Sequence, residues 1–282
     1  MNTVLAARSL LFVPGHQPER YAKALASGAD GVIVDLEDAV PAADKAAAAQ
    51  ALRDAWSTLG ASRVLIRINP RGTRWHDADI ALCATLRPAA VVVPKAEHPD
   101  DLLEIALHAR CGERGVLALI ESARGFVNVR AIAACPAVGR LLLGHIDLQA
   151  DLGLRCDEEE RELDSVRFEL ALASRLAGLP PPVDGVTLAT DDARRLHADA
   201  QRAQRFGFGG KLCIHPRQVA PLHAALAPSE QQLAWARRVI EAARAAGGGA
   251  IRVDGEMIDR PVVLLAERLL SWSIGVWSGS PR

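Results

Sequence analysis

Eight short apolar runs, separated by seven helix-like segments, recur along most of this chain and restrict the folds open to it. The runs cover residues 9–13, 31–36, 63–68, 90–94, 115–120, 140–143, 183–186 and 211–214, each four to six residues and most of them rich in aliphatic side chains, with 183–186 (V-D-G-V) the weakest. Segments of helical spacing lie between them, at residues 18–26, 42–59, 77–83, 99–110, 125–134, 158–176 and 190–206, with Thr190-Asp191 expected to cap the last. Strands that alternate with helices pair in parallel through right-handed crossovers, and eight such units close into a barrel. The expected fold class is therefore α/β, a (β/α)8 TIM barrel, preferred over an open doubly wound sheet because polar residues collect after several different strands rather than at one switch point. At 282 residues the chain matches the roughly 250 typical of that fold plus a short extension.

Domain organisation follows from the same pattern. Residues 1–246 are expected to form the barrel. Residues 247–282 then make a C-terminal segment that begins with a Gly247-Gly248-Gly249 linker, turns at Asp254-Gly255 and continues as a helix over 261–272. That helix has an apolar face of Val262, Val263, Leu265, Ala266, Leu269, Leu270 and Trp272, which must pack on its own barrel or on a neighbouring subunit.

Several function classes are excluded by composition. With 33 basic and 34 acidic residues the net charge is -1, so no whole-protein field favours nucleic acid or an anionic membrane. Five scattered cysteines never form a C-x-x-C pair, which argues against a zinc site or a disulfide framework and for a reducing cytoplasm. No Gly-rich phosphate loop occurs.

Polar residues gather where the strands end, on the face where barrel enzymes carry their chemistry. They include Asp35, Glu37 and Asp38 after the second strand, Arg67 and Asn69 after the third, Lys95 after the fourth, Glu121 after the fifth and Asp147 after the sixth. Within residues 116–151, two apolar runs each lead to a carboxylate, Glu121 and Asp147. Such a pair suits Mg2+, which takes one or two carboxylates and keeps waters. Glu37 and Asp38 are placed to hold metal-bound water, and Arg67 offers a planar fork for a substrate carboxylate or a developing oxyanion. Lys95 as a Schiff-base lysine ranks below the metal reading, because acids around a lysine keep it protonated. His16, His145 and His215 lack zinc-helix spacing and are expected to pack or hydrogen-bond. Arg20 and Lys23, three apart on the first helix, form a candidate phosphate-binding pair.

The segments R-S-L-L-F-V-P-G (8–15), G-A-D-G-V-I-V-D-L-E-D-A-V (28–40), R-I-N-P (67–70), V-P-K-A-E (93–97), A-L-I-E-S-A-R-G (118–125), G-H-I-D-L-Q-A-D-L-G (144–153), G-K-L-C-I-H-P (210–216) and D-G-E-M-I-D-R-P (254–261) together resemble the citrate lyase β subunit-like (HpcH/HpaI aldolase/citrate lyase) family. That group includes malyl-CoA and citramalyl-CoA lyases. The resemblance implies a magnesium-dependent lyase that cleaves or forms a carbon–carbon bond in a 3-hydroxyacyl-CoA such as citramalyl-, citryl- or malyl-CoA, giving acetyl-CoA and a 2-oxo acid. It implies Glu121 and Asp147 as metal ligands, Arg67 as the enolate-binding arginine, Glu37 and Asp38 as acids that fix metal-bound water, and Arg20 and Lys23 as contacts to CoA phosphates. It further implies a homo-oligomer, a trimer or a multiple of it, in which the C-terminal segment covers an adjacent subunit's site and brings Asp259 to it. Two rival functions fit much of the same pattern. One is a magnesium-dependent aldolase acting on free 2-oxo-4-hydroxy acids. The other is a citrate lyase β chain that depends on a thioester carried by an acyl-carrier protein.

Overall fold

In the computed structural model, which describes residues 3–246 and 251–273, the chain divides into two compact units, Met1–Ala225 and Leu226–Arg282. The first is a closed barrel of eight parallel strands in sequence order: β1 (Ser9–Pro14), β2 (Gly31–Asp35), β3 (Val64–Arg67), β4 (Ala90–Val93), β5 (Val116–Ile120), β6 (Val138–Leu143), β7 (Val183–Asp184) and β8 (Gly210–Cys213), with β8 returning to β1. The (β/α)8 expectation is met strand for strand. Leu10, Ile33, Leu65, Val92, Leu117, Leu119, Leu142, Val183 and Leu212 fill a common buried cluster, with Phe12 packed against it. Aliphatic side chains at alternate strand positions make such a layered barrel core.

Helices α1 (Tyr21–Leu25), α2 (Lys45–Leu59), α3 (His76–Leu86), α4 (Pro99–Ala109), α5 (Ala123–Val127), α6 (Val129–Ala134), α7 (His145–Leu152), α8 (Asp164–Leu176) and α9 (Ala193–Arg205) supply the crossovers, and α10 (Val219–Leu226) follows β8. Three local expectations are corrected. The helix expected over 125–134 is two, broken at Asn128, whose side-chain amide donates to the Glu97 carbonyl at 2.8 Å. Residues 145–152, which carry charge without a clear period, form α7, and Gly153 at φ 67° ends it in the left-handed conformation glycine favours. The cap of α9 is Asp192, which accepts from the amides of Arg194 and Arg195, rather than Thr190-Asp191.

Strand β7 has only two residues and a single register pair with β6. Pro180, Pro181 and Pro182 precede it and have no amide hydrogens to give a ladder. Polar contacts secure the wall there instead. Asp184 is fully buried, 3.2 Å from Arg167 Nε of α8 and 3.4 Å from Lys211 Nζ of β8, while Arg167 also pairs with Glu160. Glu160 in turn takes Arg202 of α9 at 2.9 Å. The opposing pull of Lys211 and Arg167 outweighs burial and holds the Asp184 carboxyl down at about 2. On the other side of the seam, Arg140 donates to the carbonyls of Pro181 at 2.7 Å and Ala7 at 2.6 Å.

The second unit contains α11 (Glu230–Ala245), an antiparallel hairpin of β9 (Ile251–Val253) and β10 (Glu256–Ile258), and α12 (Arg260–Ser273). Asp254 and Gly255 both have positive φ, 53° and 88°, as a two-residue hairpin turn requires. Ala236, Val239, Ile258 and Ala266 form its core, with Val262, Val263, Leu269 and Leu270 packed around them. Much of the apolar face of α12 is thus covered by α11, whereas Leu265 is exposed. The residue-247 boundary falls inside this unit, between α11 and the hairpin. The Gly247-Gly248-Gly249 linker lies outside the described residues, as does the side chain of Trp272.

Candidate active site

The acids and bases expected to share one end of the barrel divide into a packed group and an exposed margin. Asp35 ends β2 with no exposed surface, and its two oxygens accept the amides of Glu37 at 2.9 Å and Ala39 at 3.0 Å. This folds the loop so that Glu37 turns inward and Asp38 outward: Glu37 is buried and Asp38 exposed. The same Asp35 carboxylate takes the fork of Arg67, Nε to Oδ1 at 2.7 Å and Nη2 to Oδ2 at 2.6 Å. Arg67 Nη1 then reaches Glu37 Oε2 at 2.8 Å and Asp38 Oδ2 at 3.8 Å, and the guanidinium lies 4.8 Å from the Phe12 ring centroid. Burial alone would lower the Arg67 pKa. The hydrogen bonds and charge of Asp35, with Glu37 and Glu121, raise it instead, so the guanidinium stays charged.

Two further residues hold these loops. Lys45 of α2 is buried and donates to the carbonyls of Leu36 at 2.8 Å and Glu37 at 2.9 Å, and to Asn69 Oδ1 at 2.6 Å. Asn69, just beyond β3, donates to Leu36 O at 2.9 Å and to Asp79 of α3 at 2.7 Å. The loops after β2 and β3 are therefore tied to each other and to the helices behind them.

Glu121 follows β5 and is buried. Its Oε1 accepts the amide of Lys95 at 2.8 Å, and its side chain lies against Gly144, where an added Cβ would sit 2.5 Å from Oε2 and 2.6 Å from the Glu121 Cβ. Glycine is thus required at 144 for Glu121 to occupy this place. The Lys95 ammonium donates to Glu37 Oε1 at 2.9 Å and stands 3.9 Å from Glu121 Oε1. Asp147 lies in the first turn of α7, half-buried. Burial, then the charges of Glu37 and Asp147, push the Glu121 carboxyl up to about 8, and burial raises Glu37 against the opposing pull of Arg67 and Lys95.

These features fit a hard divalent cation. The charge of Asp147 is close enough to disfavour the ionised form of Glu121, which a cation would reverse. Glu37 Oε2 is buried without a hydrogen-bond partner and meets Arg67 as an ion pair. Among the described residues no three or more His, Cys, Asp or Glu are grouped so that they alone could hold a metal ion. Water or substrate oxygens must complete the shell, as magnesium prefers.

Arg20 and Lys23 are exposed on the turn and helix that follow β1. Asp259 belongs to the second unit, where its carboxylate receives the Val262 amide at 3.4 Å at the start of α12. His145 is buried beside Glu160, 3.6 Å away, and His215 caps the turn after β8 by accepting the Arg217 amide at 3.1 Å. His16 lies 3.2 Å from the Gln17 amide nitrogen.

Asp35, Lys45 and Asn69 shape this site; sequence reasoning placed Asp35 and Asn69 on this face without a chemical role and did not single out Lys45. Asp35 and Asn69 carry the available signal, polar residues at the ends of adjacent strands. Lys45 carries none beyond its position in the first turn of α2.

Comparison with known proteins places this geometry. Residues 8–216 match the sequence profile of the HpcH/HpaI aldolase/citrate lyase family. The chain belongs to this family. Among HpcH/HpaI relatives, a citrate lyase subunit beta-like protein of Mycobacterium tuberculosis is 40% identical over 276 residues, covering 96% of this chain and 97% of that protein. A (3S)-malyl-CoA thioesterase of Cereibacter sphaeroides is 32% identical over 269 residues, covering 94% and 93%. The crystal structure of protein CitE from Mycobacterium tuberculosis, in complex with magnesium, acetoacetate and coenzyme A, superposes with a TM-score of 0.85 at 37% identity, covering 95% of this chain and 99% of that one. The HpcH/HpaI profile spans the whole barrel, from just before β1 to just past β8.

Proposed function

We propose that this chain is a magnesium-dependent lyase that cleaves or forms the carbon–carbon bond of a 3-hydroxyacyl-CoA such as (S)-citramalyl-CoA, citryl-CoA or malyl-CoA, with acetyl-CoA and a 2-oxo acid on the other side of the reaction. The observation that carries this reading is the Arg67 guanidinium, locked by Asp35 beside the buried acids Glu37 and Glu121. A fixed cation next to a cation-seeking carboxylate set suits a reaction that develops negative charge on an oxygen beside a metal. Magnesium, acetoacetate and coenzyme A bound together in the CitE relative support the same chemistry.

Glu121 and Asp147 would hold the metal, which when bound supplies Lewis acidity toward the substrate's carboxylate and 3-hydroxyl. Glu37 and Asp38 would accept hydrogen bonds from water around it. The 3-hydroxyl would give its proton to water held by Glu37 and Asp38 and become the carbonyl of the 2-oxo acid as the carbon–carbon bond breaks. The electron pair of that bond is then shared between the thioester's α-carbon and its oxygen, and Arg67 stabilises the charge by donating to the oxygen. Asp259, or a water it orients, delivers a proton to the α-carbon, and in the condensing direction the same group removes it. Arg20 and Lys23 meet the phosphates of CoA, as point and forked cations on one exposed face.

In this reading residues 1–246 are the catalytic barrel. The 247–282 segment brings Asp259 to the site of an adjacent copy in a trimer or a multiple of one. The enzyme would act in the cytoplasm on a small acyl-CoA; among the described residues no helix is long and apolar enough to cross a membrane.

The test is a panel of citryl-, malyl- and citramalyl-CoA with Mg2+, following 2-oxo acid and free CoA thiol separately. Release of a 2-oxo acid with acetyl-CoA, abolished by EDTA, is the expected result. Thiol release without a 2-oxo acid would make the protein a thioesterase, like the Cereibacter sphaeroides relative, and overturn the lyase reading. Silence on all three thioesters would overturn it too.

A further inference from the structure

Lys95 meets the acids of this site twice, through its backbone and through its side chain. It follows Pro94 beyond β4 and has φ of 47°, a left-handed conformation seldom held by a residue with a Cβ. In this conformation the Lys95 amide donates to Glu121 Oε1 at 2.8 Å while the side chain returns to the same acids. Its Nζ lies 2.9 Å from Glu37 Oε1 and 3.9 Å from Glu121 Oε1. The side chain is 43% exposed, so the ammonium reaches inward from a stem that solvent can still enter. The backbone contact positions Glu121. The side-chain contact places a positive charge where the proposed metal needs negative charge.

We infer that the Lys95 ammonium is a built-in competitor of the divalent cation: it neutralises Glu37 and Glu121 in the metal-free protein and weakens the site's hold on the metal. This rests on the reading that Glu121 and Asp147 bind magnesium. Lys95 is a positioning and tuning residue, acting on metal occupancy through Glu37 and Glu121.

The electrostatic argument gives both sign and scale. A unit positive charge about 5 Å from a divalent cation repels it, and even at the dielectric of water the effect corresponds to about tenfold in affinity. Arg67 cannot be displaced to relieve this repulsion, because Asp35 holds it by two hydrogen bonds. Lys95 has one hydrogen bond to a carboxylate and a flexible four-carbon stem, so it is the cation able to withdraw. Metal binding to this site is then an exchange of one cation for another.

The experiment is calorimetric titration of Mg2+ into the full-length wild type, Lys95→Met, Lys95→Arg and Glu121→Gln at one pH and ionic strength, with thermal melts to show that each is folded. Lys95→Met keeps the length of the stem without its charge and is expected to bind Mg2+ about tenfold more tightly than wild type. Lys95→Arg is expected to bind within about threefold of wild type. Should Lys95→Met fail to fold, Lys95→Gln provides the same loss of charge. Unchanged or weaker binding in the neutral variant, with Glu121→Gln still defective, would overturn the role of Lys95 and leave the metal assignment standing. Wild-type-like binding by Glu121→Gln, or none by the wild type, would overturn the metal assignment and this inference with it.

Discussion

Asp35 holds Arg67 by two parallel hydrogen bonds, Nε to Oδ1 at 2.7 Å and Nη2 to Oδ2 at 2.6 Å, across the adjacent strands β2 and β3. The pair lies in register, since Asp35 and Arg67 are Cα partners in the parallel ladder. Both side chains are almost fully enclosed, with 1% and 11% exposure. One nitrogen of the guanidinium, Nη1, is left to face Glu37, Asp38 and the rim.

Asp35→Asn should therefore damage catalysis by releasing Arg67 rather than by removing a group that touches substrate. An arginine displaced by about 1 Å is expected to cost about 10²-fold in kcat, with a smaller change in KM. Losing one partner of a buried pair should also cost about 3–5 kcal/mol of stability. Steady-state kinetics and denaturant unfolding of Asp35→Asn check both effects.

Gly144→Ala isolates the packing of Glu121. The backbone at 144 has a negative φ of -96°, so the substitution does not place a side chain on a left-handed residue. That methyl would meet Glu121 Oε2 at 2.5 Å and force the carboxylate aside. Mg2+ affinity should fall by about tenfold, read by titration calorimetry, with the fold retained.

Backbone strain at residue 95 is separable from the charge of its side chain. Lys95→Gly and Lys95→Ala both remove the ammonium, but only glycine takes φ of 47° freely. The glycine variant should be the more stable of the two by about 1 kcal/mol in urea unfolding.

The buried acid of β7 predicts a specific pH dependence. Asp184 is held at about 2 in the folded protein, below its ordinary value of 3.8, because Lys211 and Arg167 outweigh burial. A depressed folded pKa stabilises above the unfolded value, and that contribution fades as pH falls from about 4 toward 2. The stability difference between wild type and Asp184→Asn should shrink by about 2 kcal/mol over that interval, measured by denaturant melts at stepped pH. A difference independent of pH there would exclude the proposed pairing.

The barrel was legible because apolar runs of strand length alternate with helical segments, which implies parallel pairing. Even β7 was placed, although it has only two residues. What local pattern could not show was α7, whose charged residues blur the helical period, and the break at Asn128, which depends on a distant carbonyl of Glu97. At the site, Glu37, Arg67 and Glu121 could be gathered from sequence because each ends or follows a strand. The role of Asp35 could not, since a strand-end acid does not reveal whether it faces solvent or the arginine of the next strand. Lys45 was opaque for a related reason, whereas Lys95 was placed on this face among acids with only its individual partners unread. A lysine's partners are set by the folded surroundings, and here those are loop carbonyls in one case and two buried carboxylates in the other.

The most direct test of the account compares wild type with Glu121→Gln on the thioester panel, each with Mg2+ and with EDTA, following the 2-oxo acid. The account predicts metal-dependent 2-oxo acid and acetyl-CoA from the wild type, and at least a 10²-fold loss in Glu121→Gln without loss of fold. Full turnover by Glu121→Gln, or by the wild type in EDTA, would contradict it.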